Sequence, residues 1–155
     1  MVTFEVVAER VRSVPDPEIP VISIEDLGIL RSVTEVGGTV HVLVTPTYSG
    51  CPAMEAIRAS IERVAADAGW PVQVQTCLTP AWTTDWISQR GLTALADFGI
   101  APPARSAVPL RLRRVRCPQC GSADTEELSR FGSTACKALR RCRSCGEPFE
   151  QFKAL

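Results

Sequence analysis

The spacing of apolar side chains switches between helical and strand period along this chain, and the switches predict its elements. Phe4, Val7, Val11 and Val14 recur at helical spacing, which predicts an amphipathic helix over residues 3–13. VPDPEIP ends it, because each proline restricts the residue before it, and an acidic loop follows. SIEDLGILRSVTEVGGTVHVLVTPT predicts a loop and two strands, with Gly37-Gly38 as the hairpin turn. In TVHVLV, Val40, Val42 and Val44 share one face, and His41 takes the other as an ordinary exposed-face histidine. From Pro52 the helical period returns: Met54, Ile57, Ile61, Val64 and Ala68 form the apolar stripe, opposite Glu55, Arg58, Glu62 and Arg63. Gly69 ends this helix. PVQVQTCL alternates as a third strand, and TTDWISQRGLTALADFGI predicts one helix, or two short ones hinged at Gly91, with Thr84 as N-cap.

This order predicts an α+β fold, a small sheet covered by helices, spanning residues 1–101. IAPPARSAVP is rich in proline and alanine and predicts a linker over 102–110. The remaining residues, 111–155, are too few to be stabilised by burial alone and call for a metal, disulfides or a partner. Charge divides along the same line. Residues 1–104 carry 6 basic and 12 acidic side chains, and residues 105–155 carry 11 and 5, so the halves are −6 and +6 in a chain of zero net charge. A basic tail of this kind suits an acidic surface, its own or a partner's, or an anionic ligand. No run reaches the about 18 apolar residues of a membrane span, and the N-terminus lacks the basic and apolar regions of a secretion signal, so a cytoplasmic setting is expected.

Seven cysteines then change the picture. CPQCG at 117–121 and CRSCG at 142–146 are two CxxC turns separated by 21 residues, the pattern of a four-cysteine zinc ribbon. Cys117, Cys120, Cys142 and Cys145 are the expected ligands of one structural Zn²⁺; the set is closed, so it is not expected to be catalytic. Iron in the same geometry is the alternative. Arg111, Arg113, Arg114 and Arg116 lend a nucleic-acid reading some support, but RLRRVR alternates like a first ribbon strand with a solvated arginine face, and that reading is preferred.

The other cysteines divide. Cys77, on the third strand, is taken as structural. Cys136 is surplus to the tetrahedron, either a packed thiol in a ribbon strand or a further sulfur donor toward a partner or cluster, with Cys51 as a companion. Cys51 lies after a strand and before a helix whose first position is Pro52. Free amides and the macrodipole there favour a thiolate, and Gly50 leaves room for something to approach. A small apolar residue filling the strand–helix corner is the competing reading.

DPEIP (16–20), DLGIL (26–30), TPTYSGCPA (45–53), LTPAWTTDWIS (78–88) and GIAPP (99–103) together resemble the iron-sulfur assembly domain of SufT-type proteins. With CPQCGS, FGSTACKALRRC and GEPFEQFK, nearly the whole chain resembles the PaaD (PaaJ) family, small accessory subunits of bacterial phenylacetyl-CoA epoxidases. The resemblance implies phenylacetate catabolism and partners in a di-iron oxygenase and an iron-sulfur flavin reductase. It also implies a non-catalytic part in assembling or inserting iron or an iron-sulfur cluster. It makes Cys51 the reactive residue, puts Asp16 and Glu18 in the acidic loop of a transient iron or cluster site, and leaves Cys77 outside that site. A homodimer could complete the ligand set. The chain has neither the Glu-x-x-His pairs of a di-iron centre nor a dinucleotide-binding glycine loop. Two alternatives stay open at this point: Cys51 as a nucleophile for acyl or persulfide transfer, and a basic zinc ribbon that binds nucleic acid.

Overall fold

The computed structural model describes residues 1–104 and 114–155. By its contacts the chain separates into two compact units, Met1–Trp82 and Thr83–Leu155. The third helix, expected with the first domain, therefore groups with the C-terminal unit. Most of the expected 102–110 linker and the first half of RLRRVR lie outside the described residues; Arg114–Arg116 are described and are not in a strand.

In the N-terminal unit, α1 (Phe4–Arg12) is followed by a long loop, β1 (Leu30–Val36), β2 (Thr39–Val44), α2 (Ala53–Asp67) and β3 (Val72–Thr76). The hairpin forms where expected. Gly37 and Gly38 both have positive φ, 58° and 78°, as a two-residue type I′ turn demands, and β1 pairs antiparallel with β2. β3 pairs parallel with β2 on its other side, giving the order β1-β2-β3 with Val44 opposite Thr76. A parallel neighbour needs a long crossover, and α2 supplies it.

Val40, Val42 and Val44 are buried as their alternation predicts, and His41 points to the opposite face. The buried stripe of α2 differs from the expected one. It consists of Ala53, Ile57, Ile61 and Ala65, while Met54, Val64 and Ala68 are partly exposed flanks. Two of the four buried positions are thus alanines, which hydropathy ranks below Met54 and Val64. The loop between α1 and β1 is richer than its acids suggest. Val14, Ile19, Ile22, Ile24, Leu27 and Ile29 are all buried, and the indole of Trp82 caps the loop's end by donating to the Leu27 carbonyl at 3.0 Å.

In the C-terminal unit the TTDW stretch is neither one helix nor two hinged at Gly91. A short 3-10 turn (Thr84–Trp86) is capped by Thr83, and α3 (Gln89–Asp97) starts afresh with Ser88 as N-cap, its hydroxyl accepting from the Gly91 amide. The break therefore falls at Ile87–Ser88, which are extended in conformation. A four-stranded sheet follows, made of β4 (Ile100–Ala101), β5 (Thr125–Ser129), β6 (Lys137–Cys142) and β7 (Pro148–Phe152) in the order β4-β7-β6-β5.

Lys137 and Glu150 form an ion pair of 2.8 Å in this sheet, the lysine side chain 6% exposed and the glutamate 25%. Burial pushes the Glu150 carboxyl up, but the Lys137 ammonium and the Ser133 hydroxyl and amide outweigh it and hold the carboxyl below its usual range. Gly132 leaves space for this carboxylate: a Cβ there would meet the Glu150 carboxyl carbon at 3.2 Å.

Two stability changes are expected. Ile61→Ala should cost about 2–5 kcal/mol through a cavity, read as a lower denaturant midpoint, and Met54→Ala at the helix edge should cost clearly less. Glu150→Gln leaves Lys137 buried without its counter-ion, at a cost of about 3 kcal/mol or less, since the glutamate is partly exposed. Because the folded-state carboxyl is lowered, the pair's stabilisation is complete above about 4.5, the ordinary value, and is lost as acidification passes through the lowered one. Melting curves of wild type and Glu150→Gln should therefore differ near neutrality and converge in acid.

Candidate functional site

Free cysteines lie in both units, and four of those in the C-terminal unit converge. In the C-terminal unit the sulfurs of Cys117, Cys120, Cys142 and Cys145 all lie within 4.8 Å of one another. The two CxxC turns repeat the same bonds. The Gly121 amide donates to the Cys117 carbonyl and the Gly146 amide to the Cys142 carbonyl, each at 2.9 Å. Amides also point at sulfur, from Gln119 to Cys117 at 3.4 Å and from Cys145 to Cys142 at 3.5 Å. The positive φ of Gly121 and Gly146, 74° and 81°, closes both turns. Around the sulfurs sits a small core of Ala101, Cys117, Cys142 and Phe149, with Val115 against it.

The thiols disagree about their protons in a way that suits a cation. The Cys145 amide, with burial opposing and the Ser144 amide assisting, draws the Cys142 thiol down to about 6. Cys145 is pushed up to about 12: the Glu147 amide favours its thiolate, but burial and the Cys142, Cys120 and Cys117 thiols outweigh it. One negative charge forms readily and makes the next costly, until a metal ion neutralises them together. Four sulfurs converging with amide support fit a tetrahedral metal ion with no coordination position left over.

Several basic side chains of this unit have partners within it. Arg141 and Arg143 bind Glu126 at 2.7 and 2.9 Å, Arg140 lies 3.9 Å from Glu127, and the Lys153 ammonium sits over the Phe131 ring. The hydrogen bond from Arg143, with Arg141 adding to it, lowers the Glu126 carboxyl.

Cys136, expected as either packed or a further donor, is 7% exposed and buried in the ribbon unit, its sulfur 3.0 Å from the Thr134 hydroxyl. In this arrangement it presents no open sulfur. Asp16 is 5% exposed, and its Oδ1 accepts from the amides of Glu18 and Ile19 at 2.9 and 2.8 Å. That carboxylate shapes the loop turn, while the Glu18 side chain is exposed.

Cys51 lies in the N-terminal unit at the carboxyl edge of β2. Its amide donates to the Tyr48 carbonyl at 3.3 Å, closing a turn in which Gly50 has φ 80°. A type II turn requires that sign at its third residue, so Gly50 is explained by backbone geometry, not by an approaching ligand. Pro52 is the N-cap residue, one position earlier than expected, with Ala53 the first helical residue. The Cys51 carbonyl accepts from the Met54 amide at 3.3 Å, and its partly exposed sulfur is 4.0 Å from the Thr47 hydroxyl.

Beside it opens a cleft of about 210 Å³, walled by Thr45–Ser49 from the loop after β2 and by Leu78, Ala81 and Trp82 from the loop after β3. Periodicity and spacing in the sequence give no sign of this cleft. Cys77 is the first residue after β3, is partly exposed, and immediately precedes Leu78 of the wall. The available signal was positional: in sheets with parallel strands, ligands gather beyond the strands' carboxyl ends. No helix among the described residues is long and apolar enough to cross a membrane.

Comparison with known proteins agrees with this two-part layout. A family model described as an iron-sulfur cluster assembly protein matches residues 5–76, and one described as the PaaD zinc beta ribbon domain matches residues 102–153. The chain is 50% identical over 144 residues to the putative D component of the 1,2-phenylacetyl-CoA epoxidase of Escherichia coli, covering 92% of this chain and 87% of that one. It is 35% identical over 99 residues to an Fe-S protein maturation auxiliary factor of Porphyromonas gingivalis, covering 60% of this chain and 90% of that one. Its fold is similar to the crystal structure of a domain of unknown function, DUF59, from Bacillus anthracis, with TM-score 0.54 and 23% identity over 59% of this chain and 89% of the other.

Because each ligand must lose its proton, metal retention by the four-sulfur site should weaken steadily as pH falls, with protons released on loading. Cys117→Ser or Cys142→Ser should remove about one metal equivalent per chain, measured by elemental analysis, and should loosen the ribbon. Cys51→Ser should leave that equivalent in place.

Proposed function

Because this chain belongs to the family of the D components of 1,2-phenylacetyl-CoA epoxidase, we propose that it is an accessory subunit of such an epoxidase that helps assemble a metallocentre and does not itself turn over substrate. The observation that carries this reading is the contrast in closure between the ribbon sulfurs and Cys51. The ribbon four converge on one another; Cys51 is a partly exposed cysteine two residues beyond Ser49 of a cleft wall, in the unit that matches the assembly family.

The closed site suits Zn²⁺. Four thiolates around one such ion give a tetrahedron with no open position and a local charge of −2, so its part is to hold the ribbon together. The open site suits cargo. A thiolate is a soft donor for iron or the edge of an iron-sulfur cluster, and one sulfur from this chain leaves coordination positions for a client's ligands. Delivery is then ligand exchange: a client ligand, a cysteine thiolate for a cluster or a carboxylate or imidazole for a di-iron centre, bonds to iron as the Cys51–iron bond breaks, and the Cys51 sulfur regains a proton. Clients on this reading are the other subunits of the epoxidase, its di-iron oxygenase or its iron-sulfur flavin reductase. Transfer chemistry by Cys51 as a nucleophile finds less support. The chain's single histidine lies within β2, paired with Thr34 and Gln73, and not on the Cys51 loop.

Anaerobic reconstitution with ferrous iron and sulfide tests the reading. Wild type should take up iron and show sulfur-to-iron charge-transfer absorbance, and Cys51→Ser should lose most of both while keeping its ribbon metal. Equal uptake by the two proteins rejects Cys51 as the donor.

A further inference from the structure

β3 is an outer strand: its sheet runs β1-β2-β3, and no described strand lies beyond it. In a parallel ladder, alternate residues aim both backbone groups to the same side. The Pro71 carbonyl accepts from the Val40 amide at 2.9 Å and the Cys77 amide donates to the Val44 carbonyl at 2.8 Å, so the odd-numbered residues face β2. Val72, Val74 and Thr76 therefore turn their amides and carbonyls away from it. Arg58 marks that open side, since its guanidinium reaches from α2 to the Val74 carbonyl at 2.6 Å and to the Thr76 hydroxyl at 3.5 Å. The other outer strand, β1, is blunted by a bulge between Leu30 and Ser32 and by exposed Arg31 and Glu35, whereas VQVQT holds neither charge nor proline.

The geometry points to a second copy of this chain as the occupant of this open side, with β3 pairing antiparallel to its own image about Val74 and joining the two three-stranded sheets. Val72 then opposes Thr76 and Gln73 opposes Gln75, so branched side chains meet on the face that carries α2 and amides meet on the other. Charge fits the same symmetry. Glu55, Arg58 and Glu62 are three and four residues apart along one side of α2, and none is in an ion pair among the described residues. A two-fold axis sets the two α2 helices antiparallel on one face of the joined sheet, so an arginine flanked by glutamates meets its own reverse. Arg58 then releases the Val74 carbonyl to the amide of Val74 in the second copy. It takes Glu62 of that copy instead, a charged acceptor in place of a neutral one.

Sedimentation of the full-length, metal-loaded protein over a range of concentrations tests the pairing. Mass should rise from 16.8 kDa toward twice that as concentration increases. Val74→Pro removes an outward N–H and leaves the bonds to β2, a change that an outer strand tolerates. Arg58→Glu makes the helix stripe wholly acidic. Each should raise the dimer Kd at least about tenfold. Reversing the stripe with Glu55→Arg, Arg58→Glu and Glu62→Arg together should bring the dimer back, with circular dichroism and ribbon metal content unchanged in every variant. A wild type that stays at 16.8 kDa at every concentration overturns the proposal, as does a dimer that either single variant leaves intact or that the full reversal does not restore.

Discussion

The parallel ladder between β2 and β3 is the constraint on which the N-terminal unit's chemistry depends. Antiparallel strands could have been joined by a short turn, but a parallel pair needs a crossover, and here the crossover is α2. The loop that starts the crossover therefore carries Cys51 to the same sheet edge at which β3 ends and Cys77 follows. Arg58 reinforces the arrangement from the helix, its guanidinium donating to the Val74 carbonyl and so tying α2 to β3. Ala53, Ile57, Ile61 and Ala65 are the buried positions of the helix, and the cleft opens between the loops that follow β2 and β3.

The C-terminal unit meets a different problem, that of holding a small sheet with little apolar surface. Its core cluster is partly made of metal-ligand cysteines, since Cys117 and Cys142 pack with Ala101 and Phe149. The sulfur site and the core are thus one structure, and loss of a ligand also removes packing. The Lys137–Glu150 pair and the ladder of Arg141 and Arg143 on Glu126 bind the strands across their faces.

The family assignment and this geometry bear on different questions. Identity over nearly the whole chain places the protein among the D components of the epoxidase. Geometry then distinguishes its cysteines by coordination. The ribbon four converge and are closed, Cys136 is buried against Thr134, and Cys51 and Cys77 remain partly exposed on the two loops of one edge.

Much of this was legible without coordinates, and for local reasons. Alternation in TVHVLV depends only on the two-residue period of a strand; Gly37-Gly38 on the positive φ of a hairpin turn; the ligand set on the reach of a CxxC turn. What failed were readings that needed to know a neighbour. The buried stripe of α2 is set by which face meets its neighbours, so Ala53 and Ala65 are buried where Met54 and Val64 are not. The helix boundary near Gly91 was decided by the Ser88 hydroxyl, and Gly50 by the turn closed at Cys51. SGCPAM could announce a cysteine before a helix, because caps and turns are written in adjacent residues. Only the register of β2 against β3 could place Cys77 at the same edge, because strand pairing joins residues far apart in sequence and no local pattern records it.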